Sequence, residues 1–96
     1  MHDPALYHAT PSGRVESFVP VPGVAVPLGL RRRWLAIPGS CGQPRDRNPA
    51  AIYALLDLEK SSMTWFRVPY DHEAAAKKIW RAGLPESFGA RLLAGA

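Results

Sequence analysis

The segment that most constrains this chain is Ala51–Leu58, with the sequence AIYALLDL. In a strand, side chains alternate between two faces. That alternation puts Ile52, Ala54, Leu56 and Leu58 on one face and Tyr53 and Leu55 on the other. A strand that is apolar on both faces calls for cover on both sides. Only 96 residues are available to build that cover, enough for one domain at most. A chain of this size buries only about 60–65% of its unfolded surface.

The flanking residues extend the pattern. Glu59–Ser62 is a polar turn, and Met63–Val68 returns as the partner strand of a β-hairpin. Upstream, Pro and Gly cut the chain into short candidate strands at Ala5–His8, Arg14–Val19, Val24–Leu28 and Arg33–Ile37. Pro27 confines the third to an edge or an irregular segment. The long loop Pro38–Pro49 then precedes the hairpin. Loops of about a dozen residues are uncommon in compact domains and tend to be functional or disordered. Downstream, Asp71 is a good N-cap for a helix over His72–Ala82 that stops at Gly83. Ala75, Ala76, Ile79, Trp80 and Ala82 form its apolar side, and Glu73, Lys77 and Arg81 a solvated stripe. Pro85 opens a second helix to Leu93, anchored by Phe88, Leu92 and Leu93. Strands followed by helices predict an α+β arrangement, mainly β over 1–70 and helical over 71–96.

Composition excludes several classes. Apolar residues make up 47% and charged residues 21%, too apolar for a disordered tail. The longest uncharged run, Ser17–Leu30, contains Pro20, Pro22 and Pro27 and falls short of the roughly 18 residues that a membrane span needs. The N-terminus has no basic region followed by an apolar stretch, so a signal peptide is not expected and a cytoplasmic location is the default. The single cysteine, Cys41, excludes a disulfide framework and a Cys-cluster zinc site. A net charge of +4 does not by itself mark a nucleic-acid binder.

Most conspicuous residues read as structural. Arg31-Arg32-Arg33 is a solvated connector before an apolar strand, with contact to nucleic acid or an acidic partner as the other reading. Trp34, Trp65 and Trp80 sit among apolar neighbours and read as core. Trp65-Phe66-Arg67 only faintly suggests a base-stacking surface. Cys41 reads as a free, partly buried thiol. His8 reads as an ordinary strand histidine, and His72, in the first helical turn, as solvent-exposed.

Two stretches carry a family resemblance. The first is Pro38-Gly39-Ser40-Cys41-Gly42-Gln43-Pro44-Arg45-Asp46, followed by Asn48-Pro49-Ala50 and the strand Ala51–Leu58. The second is Phe66-Arg67-Val68-Pro69-Tyr70-Asp71, the Ala-rich helix and Gly83-Leu84-Pro85. Together they resemble the C-terminal part of a bacterial calcineurin-like metallophosphoesterase, similar to the diadenosine tetraphosphatase-like group. Small members of that family carry a PGSxGQPRD segment, then a hairpin and a V-P-Y-D-x-E-A-A-A helix. The opening residues fit as well. A G-H-x-H motif and a strand reading xPAL would place Met1 at the variable position and His2 at the final histidine.

The resemblance implies a β-sandwich flanked by helices, of which this chain would supply much of one sheet and the helices covering it. It also implies hydrolysis of a phosphomonoester or phosphodiester, a nucleotide among the candidates, at a site holding two divalent metals (Mn, Fe or Zn). Where members commonly have Asn before Pro-Gly-Ser, this chain has Ile37. The D-x-H, G-D-x-x-D and G-N-H-D/E motifs are absent from the sequence, and its one Asn, Asn48, is followed by Pro49. A dinuclear site needs several oxygen and nitrogen ligands to hold two cations ~3.5–4 Å apart. His2 supplies one.

The expectation is therefore a single partial domain, a C-terminal segment that is inactive alone and binds no metal stably by itself. His2 would be a metal ligand in the complete protein, and as a near-terminal residue it is expected to fray here. No catalytic residue is assigned. Gly39, Ser40 and Gly42 either present amides to an anion or only allow tight turns. Arg45 and Asp46 form either a phosphate-contacting pair or a local salt bridge that shapes the loop. The structural reading is the stronger in both cases. The expected partner is a phosphate ester or nucleotide in the complete protein, with no membrane. Two other readings stand: a small basic nucleic-acid-binding module, and an interaction module whose open sheet invites self-association.

Overall fold

A computed structural model describes residues 2–96; Met1, the variable position of the terminal motif, lies outside them. The order is β1 (Ala5–Ala9), β2 (Val15–Phe18), β3 (Ala25–Pro27), β4 (Arg33–Ile37), β5 (Ala51–Asp57), β6 (Ser62–Val68), α1 (His72–Arg81) and α2 (Glu86–Ala94). The expected elements all form, with ends shifted by a residue or two. Two antiparallel three-stranded sheets result, ordered β2-β1-β4 and β3-β6-β5. The chain thus contributes three strands to each layer of a sandwich, where the resemblance implied much of one sheet. Pro27 sits in β3 at the edge of its sheet, where a missing amide costs no ladder bond.

Register explains the core. Leu6 pairs with Ala36 and His8 with Trp34 across β1 and β4, while Ala54 pairs with Trp65 and Leu56 with Met63 across β5 and β6. The inward sets meet in a cluster of Leu6, Ile52, Met63 and Trp65, flanked by Val26, Leu28, Trp34, Ala36 and Ala54. Trp65 is 1% exposed and its Nε1 donates to the Ile37 carbonyl at 3.2 Å. The largest buried side chain of one sheet is thereby fixed to the last residue of β4 in the other.

The helices flank the sandwich without lying across a sheet face. They pack on each other and against the loop before β5. Asp71 caps α1 as expected, its carboxylate accepting from the Ala74 amide at 3.0 Å. Trp80 closes the helical hairpin: its Nε1 donates to the Glu86 carbonyl at 3.0 Å, and its indole lies over Gly89. A Cβ on Gly89 would come within 2.5 Å of that ring, so the close approach requires glycine.

The body is open. A compact chain of this length has a radius of gyration of about 12–13 Å, whereas this one has 16.3 Å and extents of 51 × 25 × 17 Å. Its accessible surface is 6705 Å², against about 5,400 Å² for a typical monomer of its mass. The outward faces contribute to the excess: Val15 and Leu35 on one sheet, and Tyr53 and Leu55 on the other, are exposed. The cover that the two-faced strand calls for is thus present on its inner side only.

Trp65→Ala removes both the central side chain and the bond between sheets. It should cost about 3–5 kcal/mol, a large share of what a small domain has. The cooperative thermal transition in near-UV circular dichroism should disappear. A transition at the parent's midpoint would contradict this account of the core.

Candidate functional site

The motif-bearing loop, residues 38–49, has no regular structure and is held by contacts at several points. At its start, Gly39 has φ +97, a conformation that L side chains rarely adopt, and a Cβ there would meet Ile52 at 3.0 Å. The Ser40 carbonyl accepts from the Ile52 amide at 3.1 Å, and the Ser40 hydroxyl accepts from the Gln43 amide at 2.7 Å. Gly39 and Ser40 therefore shape the loop. Gly42 is exposed with open space about it and makes no such demand.

His2 is held, against the expectation that it would fray. Its Nδ1 lies 2.9 Å from the Gln43 carbonyl, and the residue is half-buried. A carbonyl oxygen only accepts, so Nδ1 carries the proton and Nε2 of the neutral ring keeps the lone pair. This is the arrangement in which a histidine binds a cation through Nε2 while a backbone carbonyl fixes its tautomer. The Gln43 backbone is fully used, its amide on Ser40 and its carbonyl on His2, and the next residue, Pro44, is fully buried.

Arg45 and Asp46 do not pair with each other. Asp46 forms a salt bridge with Arg67 on β6, both side chains being mostly buried, while Arg45 is exposed. The pair expected from adjacency is replaced by one that ties the loop to the hairpin. Arg67 gave a readable signal: it follows Met63 and Trp65 on the inward face of β6, where a guanidinium needs an acid. The role of Gln43 left no signal, because a backbone carbonyl is common to every residue type.

The remaining residues fall outside this constellation. Cys41 is exposed rather than partly buried, and His72 is half-buried rather than exposed. His8 is buried, with Nε2 3.4 Å from the Glu16 carboxylate and Nδ1 3.5 Å from Arg32. His8 contacts Glu16, Arg32 and the Trp34 ring, whereas His2 is held by the Gln43 carbonyl, so the two histidines have different surroundings. Arg31 and Arg33 are exposed, as a solvated connector would be.

The implied pair of metals asks for more donors than the described residues bring together. Among the described residues no three His, Cys, Asp or Glu side chains cluster to hold a metal ion. The chain offers one oriented donor, His2 Nε2, which fits one position of a metal's coordination sphere and not a complete dinuclear centre.

Asp46→Asn should lower stability by about 1–3 kcal/mol, since it leaves Arg67 without its charged partner. Arg45→Gln, at an exposed position, should change stability by less than about 0.5 kcal/mol. Parallel urea melts compare the two, and equal losses would refute the assignment of the loop's ion pair to Arg67.

No family model matches the chain. Over 64 residues it is 41% identical to an uncharacterized protein of Methanocaldococcus jannaschii, a match that takes in 67% of this chain and 26% of that protein. A solved metallophosphoesterase from Sphaerobacter thermophilus superposes with a TM-score of 0.84 at 32% identity, covering 99% of this chain and 39% of that one. The chain thus spans well under half the length of either protein. Its two antiparallel sheets and two helices are the α+β fold of the corresponding part of a metallophosphoesterase.

Proposed function

We propose that this polypeptide forms the C-terminal part of a metal-dependent phosphoesterase, hydrolysing a phosphomonoester or phosphodiester only when the rest of the catalytic domain is present. The observation that carries the reading is the anchored His2. Its position matches the last histidine of the resembled motif, and its Nδ1 bond to Gln43 leaves the Nε2 lone pair available to a cation. The similarity to a metallophosphoesterase over nearly the whole chain supports it. Two divalent cations bound in a complete site would supply an activated hydroxide and neutralise charge on the phosphate. This chain's own part is to hold one histidine in a fixed tautomer on a loop whose shape Gly39, Ser40 and the Asp46–Arg67 pair determine.

The purified 96-residue chain should give no Mn²⁺-dependent hydrolysis of p-nitrophenyl phosphate. In a chimera where it replaces the matching part of the Sphaerobacter thermophilus enzyme, His2→Ala should lower kcat by at least about a hundredfold, since metal ligands and even their supporting partners carry such effects. Metal-dependent turnover by the isolated chain would overturn the reading, and so would an active His2→Ala chimera.

The uncovered sheet faces favour a related role in association. Tyr53 stacks on Phe66 at 5.1 Å between ring centres, on the outward side next to exposed Leu55. Apolar faces of this kind are where a partner layer packs. The isolated chain should sediment as oligomers and bind a hydrophobic dye. A monodisperse, dye-silent monomer would show that these faces need no cover.

A further inference from the structure

We propose that Ser40 is a positioning residue for His2. Its hydroxyl, acting through the Gln43 backbone, keeps the His2 ring in the Nδ1–H tautomer. The use of the Nε2 lone pair for a cation rests on the phosphoesterase reading, whereas the positioning is a property of the chain without metal.

The geometry is a short relay of hydrogen bonds. The Ile52 amide on β5 donates to the Ser40 carbonyl at 3.1 Å, which ties the start of the turn to a sheet. The Ser40 hydroxyl then accepts from the Gln43 amide at 2.7 Å, the side-chain-to-backbone closure by which serine shapes turns. The Gln43 carbonyl belongs to the peptide unit shared with Pro44. That unit is planar, the Pro44 ring is fully buried, and a residue before proline is confined to extended ψ. The carbonyl is thus restrained from both sides, by Ser40 through the amide and by Pro44 through the peptide plane. It meets His2 Nδ1 at 2.9 Å, and the nitrogen that bonds a carbonyl is the one that carries the proton.

The other polar groups of the loop act elsewhere. Asp46 holds Arg67, and the Arg47 amide donates to the Gly95 carbonyl. Gly39 permits the bend but brings no side chain. The Gln43 side chain takes no part, because both of the bonds in the relay use its backbone. Removing one oxygen atom at position 40 should therefore disturb His2, while truncating the long side chain at position 43 should not.

Imidazole nitrogen chemical shifts of the full chain in chelator provide the test, so its failure is distinct from any failure of metal-dependent hydrolysis. They are read at about pH 8.5, where an ordinary histidine ring is neutral, and the signal lost in His2→Ala identifies His2. In the parent chain His2 should be mostly Nδ1–H. Ser40→Ala should shift the tautomer ratio roughly fivefold toward Nε2–H, the effect of about one net hydrogen bond. Ser40→Thr, which keeps a hydroxyl, should restore the parent ratio, and Gln43→Ala should leave it unchanged. A serine that only stabilised the loop would lower the urea midpoint without moving the ratio. The parent chain gives a further reading that needs no variant to fold: the Gln43 amide should exchange with solvent at least about tenfold more slowly than those of exposed Cys41 and Gly42. Five outcomes overturn the proposal: a parent His2 in the Nε2–H form, a Ser40→Ala ratio equal to the parent's, a Ser40→Thr chain that behaves like Ser40→Ala, a ratio that moves in Gln43→Ala, or a Gln43 amide that exchanges as fast as its exposed neighbours.

Discussion

The Trp65 indole is the contact on which the rest of the structure depends. It is the largest fully buried side chain, and it lies where inward faces of both sheets meet. Burying it without a partner for Nε1 would leave an unsatisfied donor in the core. The bond to the Ile37 carbonyl satisfies that donor and also fixes where β4 ends. The loop after β4 therefore starts from a point set by β6. The other two tryptophans follow the same rule, Trp34 donating to Gly29 and Trp80 to Glu86. Each indole joins an apolar contact to one backbone bond across a turn or between layers, and none is left over as a stacking platform.

The loop is ordered by tertiary contacts because it has no ladder of its own. Its polar groups find partners on separate parts of the chain: Ser40 on β5, Gln43 on the N-terminal segment, Asp46 on β6, and the Arg47 amide on Gly95 at the end of α2. Where such a loop is shielded from water, as at Pro44, its backbone polar groups need partners of this kind. As a result, the β3-β6-β5 sheet, the N-terminal segment and the end of α2 all act on one stretch of chain. His2 inherits its orientation from that stretch, since its partner is a carbonyl whose position Ser40 and buried Pro44 determine.

Much of the fold was legible because it rests on local patterns. The two-faced strand, the polar turn at 59–62, the Asp71 cap and Gly83 each depend on neighbours within a few residues, and the observed elements follow them closely. The division of strands between sheets was less legible. β3 crosses to the second sheet and β4 returns, a choice made by long-range packing of Trp65 and Leu6 that alternation alone does not encode. The site was legible in part. Gly39 and Ser40 stood out by residue type, and the structure shows the turn each supports. Asp46 stood out too, but adjacency suggested Arg45 as its partner, while geometry gave it Arg67. Sequence neighbours on an extended segment point to opposite sides, so adjacency is weak evidence for an ion pair outside a helix. His2 shows the converse: its nearness to the terminus argued for fraying, and a contact forty-one residues away holds it.

The exposed surface and the donor inventory bear on the same question from independent directions. The outward faces of β2, β4 and β5 carry Val15, Leu35, Tyr53 and Leu55 in contact with water, and burying such side chains is worth about 1.5–3 kcal/mol each. A small domain has only about 5–15 kcal/mol of stability in all, so leaving several of them uncovered forgoes an energy comparable with the whole. Separately, one oriented nitrogen cannot hold two cations. Under the proposed reading, one additional layer of structure resolves both deficits, since a layer packed on an outward face of the sandwich would also bring further ligands toward the loop. On that reading the exposed apolar strands and the single oriented donor of His2 have one physical cause, a scaffold shaped to close around a centre to which it would contribute one ligand.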